Sequence, residues 1–109
     1  MENQNSSIIF DKTLLIKVVN FGALKYGPHQ ICNLLGLNSF QKQEFLIQFN
    51  NEESELRIHY EKGLSIGEYN LDAELAKRGE KGDVFSIIEL SKRQYHREMD
   101  EMIKDLFGI

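Results

Sequence analysis

Seven polar side chains lie close together in the first half of the chain and are suited to holding a nucleic acid: Lys25, His29, Gln30, Asn38, Ser39, Gln41 and Lys42. Glutamine and asparagine amides can bond adenine through two atoms at once, while lysine suits guanine acceptors or phosphate. Lys25, His29 and Gln30 surround the expected start of a helix, where positive charge and free N–H groups hold phosphates. The expected ligand is double-stranded DNA. Catalytic chemistry is poorly supplied. His29, His59 and His96 are scattered without the spacing of a metal site, and the carboxylates at Glu52, Glu53 and Glu55, and at Glu98, Asp100 and Glu101, read as solvated faces. No glycine-rich phosphate loop follows a strand. No catalytic residue, metal or cofactor is implied, and the chain reads as a non-enzyme.

Those side chains need helices to position them. In the stretch from Tyr26 to Leu37, Gly27 is placed to end a first helix in the left-handed conformation, and Pro28 suits the first position of a second. Ile31, Leu34 and Leu35 form an i, i+3, i+4 apolar stripe, Cys32 is small enough for a close helix approach, and Gly36 opens a tight turn with Leu37 tucked beneath it. Asp11 caps the first helix, which buries Leu14, Leu15, Val18, Val19 and Phe21 or Gly22. Asn38 followed by Gln41 reads as a capping box for a third helix ending near Phe49, with Ser39 an equally good cap and Phe45, Leu46 and Phe49 inward. The expected unit over 11–50 is a helix-turn-helix, preceded by a disordered segment over 1–10.

Residues 51–109 read as a helical oligomerisation region. Asn50-Asn51-Glu52-Glu53-Ser54 offers several caps for a long fourth helix from about Ser54. That helix carries Leu56, Tyr60, Leu64, Leu71 and Leu75 at near four-residue spacing, with Gly63 and Gly67 marking a kink or a close crossing. Gly79, Gly82 and Asp83 punctuate the entry to a fifth, whose apolar face runs through Val84, Ile87, Ile88, Tyr95, Met99, Met102, Ile103 and Leu106. A long antiparallel hairpin buries the seam between the two. Leu64, Leu71, Ile88, Tyr95, Met99 and Ile103 are the expected oligomer contacts. The fold class is therefore all-α.

Composition agrees with association. Hydrophobic residues make up 41% of 109 residues, enough for a modest core that burial alone stabilises only marginally. The net charge of −4 is unusual for a DNA binder, but it is unevenly spread: residues 1–50 carry +1 and residues 51–109 carry −5. The single cysteine excludes an intramolecular disulfide. No apolar run of about 18 residues and no signal-peptide pattern is present, so a cytoplasmic chain without membrane contact is expected.

The chain resembles the small terminase subunits of tailed bacteriophages, in the compact kind with a homeodomain-like N-terminal unit. The resemblance runs through Gly27–Leu37, Phe49, Glu55-Leu56 and Tyr60-Glu61-Lys62-Gly63, then through the block from Ala76 to Leu90 around Gly82-Asp83. Cys32 stands where alanine is common, and a longer interval after Gly36 places Lys42 where an apolar residue is common. The resemblance implies a role in viral genome packaging: recognition of a packaging site in double-stranded DNA, assembly into a ring, and delivery of DNA to a large terminase subunit that holds the ATPase and nuclease. In a ring, many weak contacts add through effective concentration. A small dimeric helix-turn-helix regulator and a purely structural assembly or adaptor protein are the alternatives.

Overall fold

The computed structural model describes residues 7–108 and is all-helical over them. Its elements are α1 (Lys12–Ala23), α2 (Pro28–Leu34), α3 (Ser39–Phe49), α4 (Glu55–Glu80) and α5 (Val84–Phe107). The chain divides into two compact units, Met1–Glu68 and Tyr69–Ile109, and α4 contributes to both.

Short polar side chains start four of the five helices. Asp11 Oδ1 accepts from the Leu14 amide at 2.9 Å, Ser54 Oγ from the Arg57 amide at 3.1 Å, and Asp83 Oδ1 from the Ser86 amide at 3.2 Å. At α3 the capping box is reciprocal: Asn38 Oδ1 accepts from the Gln41 amide at 2.9 Å, and Gln41 Oε1 accepts from the Asn38 amide at 3.1 Å.

In the first unit Leu14, Val18, Ile31, Cys32, Phe45, Phe49, Leu56 and Tyr60 form one buried cluster. Of the expected α2 stripe, Ile31 is buried and Leu35 packs against the core, whereas Leu34 is exposed. The segment over 1–10 is described from residue 7 onward. Ile8 and Phe10 pack on the core, and the Ile8 amide donates to Glu44 Oε1 at 3.3 Å. Burying two apolar side chains offsets the entropy of holding that strand of chain down. Residues 1–6 lie outside the described residues.

Gly27 does not end α1. Its φ of −74° is extended-type, and it serves as the N-cap of α2. The left-handed residue is Lys25, at φ 61°. The Lys25 amide reaches the Gly22 carbonyl at 2.9 Å and the Tyr26 amide reaches the Phe21 carbonyl at 3.0 Å, a Schellman ending closed by contact between the Phe21 and Tyr26 rings. Two contacts from α4 hold this corner and offset the strain of a left-handed lysine. The Lys25 ammonium pairs with Glu68, and the Tyr60 hydroxyl donates to the Tyr26 carbonyl at 2.6 Å.

Gly63 and Gly67 mark a close crossing within α4, which is one continuous helix through both. A Cβ on Gly22 would collide with the Tyr60 carbonyl oxygen, one on Gly63 with that of Val19, and one on Gly67 with that of Ala23. The backbones of α1 and α4 therefore touch directly.

In the second unit α4 and α5 run antiparallel around the turn at 81–83: Gly79 lies against Ile87, and Asp72 lies against Arg93 and Arg97. Asp72 accepts from Arg93 Nε and from Arg97 Nη2, each at 2.7 Å. These hydrogen bonds, Arg93 first, hold the Asp72 carboxyl below its ordinary range. The hairpin seam is thinner than the sequence pattern suggests. Among the described residues of this unit only Leu75 and Ser86 are buried.

Candidate nucleic-acid interface

The expected interface is α2, the four-residue connection 35–38, and α3. Gly36 turns the corner at φ 67°, and the Leu37 amide donates back to the Cys32 carbonyl at 3.1 Å. That places the start of α3 at the end of a short, well-tied turn. Below it, Arg57 ties the far end of α3 to α4. Its Nη1 donates to the Phe49 carbonyl at 3.2 Å, and its guanidinium lies 4.7 Å from the centre of the Phe49 ring.

The structure distributes the seven predicted side chains unequally. His29 and Gln30 are exposed on the first turn of α2, and Ser39 is exposed at the first turn of α3. The other four are occupied or turned inward. Lys25 is paired with Glu68. Asn38 and Gln41 have their amide oxygens engaged in the capping box, whereas two-point recognition of adenine needs that oxygen as well as the NH₂ group. Lys42 is half-buried beside Cys32, where its charge partly offsets the burial that raises the Cys32 thiol pKa.

Helix rotation explains the difference. Phe45 and Phe49 are buried and set the inward direction of α3. At about 100° per residue, Gln41 and Lys42 then fall on the inward flank, and Phe40, Gln43 and Ile47 fall outward. All three of these are exposed. Gln43 is thus the amide on the outer face of α3 that sequence reading missed, and the Phe45–Phe49 pair was the signal for it. The outer face carries no cation: its character is one amide, one aromatic ring and one aliphatic side chain. On α1, Lys12 and Lys17 are exposed.

Of the predicted oligomer contacts, Leu64 packs on the core of its own unit, and that seat accounts for its burial. Leu71, Ile88, Tyr95, Met99 and Ile103 are exposed. His59 is occupied locally, with Nδ1 at 2.7 Å from the Glu55 carbonyl oxygen. Among the described residues no three His, Cys, Asp or Glu side chains gather into a group that could hold a metal, and no helix is long and apolar enough to cross a membrane. No family model, curated protein or solved structure matches the chain.

Proposed function

We propose that this chain is a non-catalytic, DNA-binding subunit of a homo-oligomer, working as small terminase subunits do in phage genome packaging. In this reading the first unit touches double-stranded DNA, the second joins copies together into a ring, and a large terminase subunit in the host cytoplasm receives the DNA. The observation that supports it best is the pair α2 and α3 joined by the Gly36 turn, with His29, Gln30, Ser39 and Gln43 open to solvent around the start of α3. A helix presented this way is the element that enters a major groove. The few available cations make single-copy binding weak and strongly salt-dependent, and joined copies recover affinity through effective concentration.

The test is a gel shift with duplex DNA at low salt, alongside light-scattering mass. Gln43→Ala and His29→Ala are expected to weaken binding, while Gln41→Ala acts through the stability of α3. An oligomer that shifts no DNA at low salt overturns the reading. That outcome favours a structural assembly or adaptor protein, for which Phe40 and Ile47 on the cation-free outer face of α3 are the specific support.

A further inference from the structure

α5 has two faces. Ser86, Leu90, Arg93 and Arg97 lie on one side of the helix and include the residues that meet α4, with Ser86 buried and Leu90 and Arg93 half-buried. On the opposite side, at about 100° per residue, lie Phe85, Ile88, Lys92, Tyr95, Met99, Met102 and Leu106. Their spacing alternates three and four without interruption, which is the a and d pattern of a coiled-coil seam. The apolar members are all exposed, from Met99 at 37% to Phe85 at 86%. An intact heptad stripe on a helix already partnered through its other side is a seam awaiting a second helix.

We infer that this seam takes α5 of a second copy, and that the two helices run antiparallel. Two observations fix the orientation. The first is charge. Residues 84–97 of α5 carry Lys92, Arg93 and Arg97 against Glu89, whereas residues 98–108 carry Glu98, Asp100, Glu101 and Asp105 against Lys104. With Asp72 counted on the first side, that half remains positive and the other strongly negative. Antiparallel pairing sets each half against its opposite; parallel pairing sets like against like. The second is Lys92, the one charged residue in the stripe. In a parallel, in-register pair it faces Lys92 of the other copy. In the antiparallel pair it faces Met102, whose flexible thioether lets the lysine stem lie along it while the ammonium reaches water.

The same register then sets Tyr95 against Met99 and Ile88 against Leu106, so each apolar layer is filled from both copies. The acidic C-terminal half also disfavours an anionic lipid surface as the occupant. The pairing rests on the self-association proposed above but not on its DNA contact. It is isologous, so it closes at two copies. A larger ring built on it holds an even number of copies and uses a second, different contact.

Disulfide trapping in the full-length chain, with Cys32→Ala to remove the native thiol, tests the orientation. A tagged Ile88→Cys chain mixed with an untagged Leu106→Cys chain is expected to give the mixed disulfide dimer under mild oxidation, because antiparallel layers bring those positions within disulfide reach. Leu106→Cys alone is expected to stay uncrosslinked. Crosslinking of Leu106→Cys with itself, without the mixed species, overturns the inference in favour of a parallel pair. A monomeric light-scattering mass for the unsubstituted chain at the concentration used for crosslinking, with no crosslink from the mixture or from Leu106→Cys alone, overturns pairing altogether. The crosslinked dimer is then used in the gel shift: a trapped dimer that shifts no DNA supports the pairing while removing the DNA reading.

Discussion

The two units of this chain solve the burial problem in opposite ways. The first gathers Phe45, Ile31, Leu56 and Val18 into an almost water-free centre, closes it with Ile8 and Phe10, and ties its corners with the Tyr60–Tyr26 and Arg57–Phe49 contacts. The second buries only Leu75 and Ser86 among its described residues and leaves an apolar stripe along α5 in water. Amphipathic pattern strength is therefore no guide to how well a helix is buried in its own chain. α5 is the more strongly patterned helix, yet its apolar side is the exposed one. A self-sufficient unit joined to an insufficient one is the arrangement expected of a module whose stability and assembly are coupled.

The contrast is most severely tested by Phe45→Ala. A fully buried ring removed from the larger core should cost about 4 kcal/mol, read as a lowered urea midpoint; a loss near zero would mean the first unit is not held by its own core. Met99→Glu comes next. Burying a carboxylate in the α5 seam should weaken self-association on the order of 100-fold, about 2.7 kcal/mol, with the circular dichroism of the isolated chain unchanged. Loss of helix without loss of association would reverse the roles assigned to the units. Gly63→Ala should destabilise the first unit by about 2 kcal/mol despite the better helix propensity of alanine, because the Val19 carbonyl leaves no room for a methyl group. The smallest effect concerns pH. Asp72 has its carboxyl pKa lowered in the folded chain, chiefly by the Arg93 hydrogen bond. Its contribution is present above the ordinary carboxylate range and disappears as pH falls through the lowered folded value. Asp72→Asn should flatten that acid-side loss in a thermal melt series, by less than about 1 kcal/mol for a partly exposed pair.

Helix starts were legible because their causes are local. Asp11, the Asn38–Gln41 box, Ser54 and Asp83 each act within three residues. Asp11 and Asp83 cap where the pattern placed them, and the structure chooses Asn38 over Ser39 and Ser54 among the several candidates over 50–54. The inward residues Val18, Cys32, Phe45, Phe49 and Tyr60 were legible from periodicity. What escaped was anything set by a distant partner. The left-handed turn at Lys25 is held by Glu68 and Tyr60 of a helix far along the chain, so the nearby Gly27 looked like the better candidate. Gln41 and Lys42 were chosen for nearness to a helix start, whereas their direction follows from the rotation that Phe45 and Phe49 impose. Residue type located the candidate site; only packing showed which side of it is available.

The contact between α1 and α4 has a consequence for how variation in this protein should be read. At Gly22, Gly63 and Gly67 two backbones meet with nothing between them, so every side chain larger than hydrogen displaces a carbonyl. In a saturation-mutagenesis map these three positions would be as depleted as a catalytic centre, with packing as the whole cause. The outward positions Gln43 and His29, which the DNA reading depends on, would accept many replacements when the map selects for folding alone. Depletion that appears at Gln43 and His29 only under selection for DNA binding is therefore the more informative pattern. Intolerance at the glycines would record the crossing of two helices.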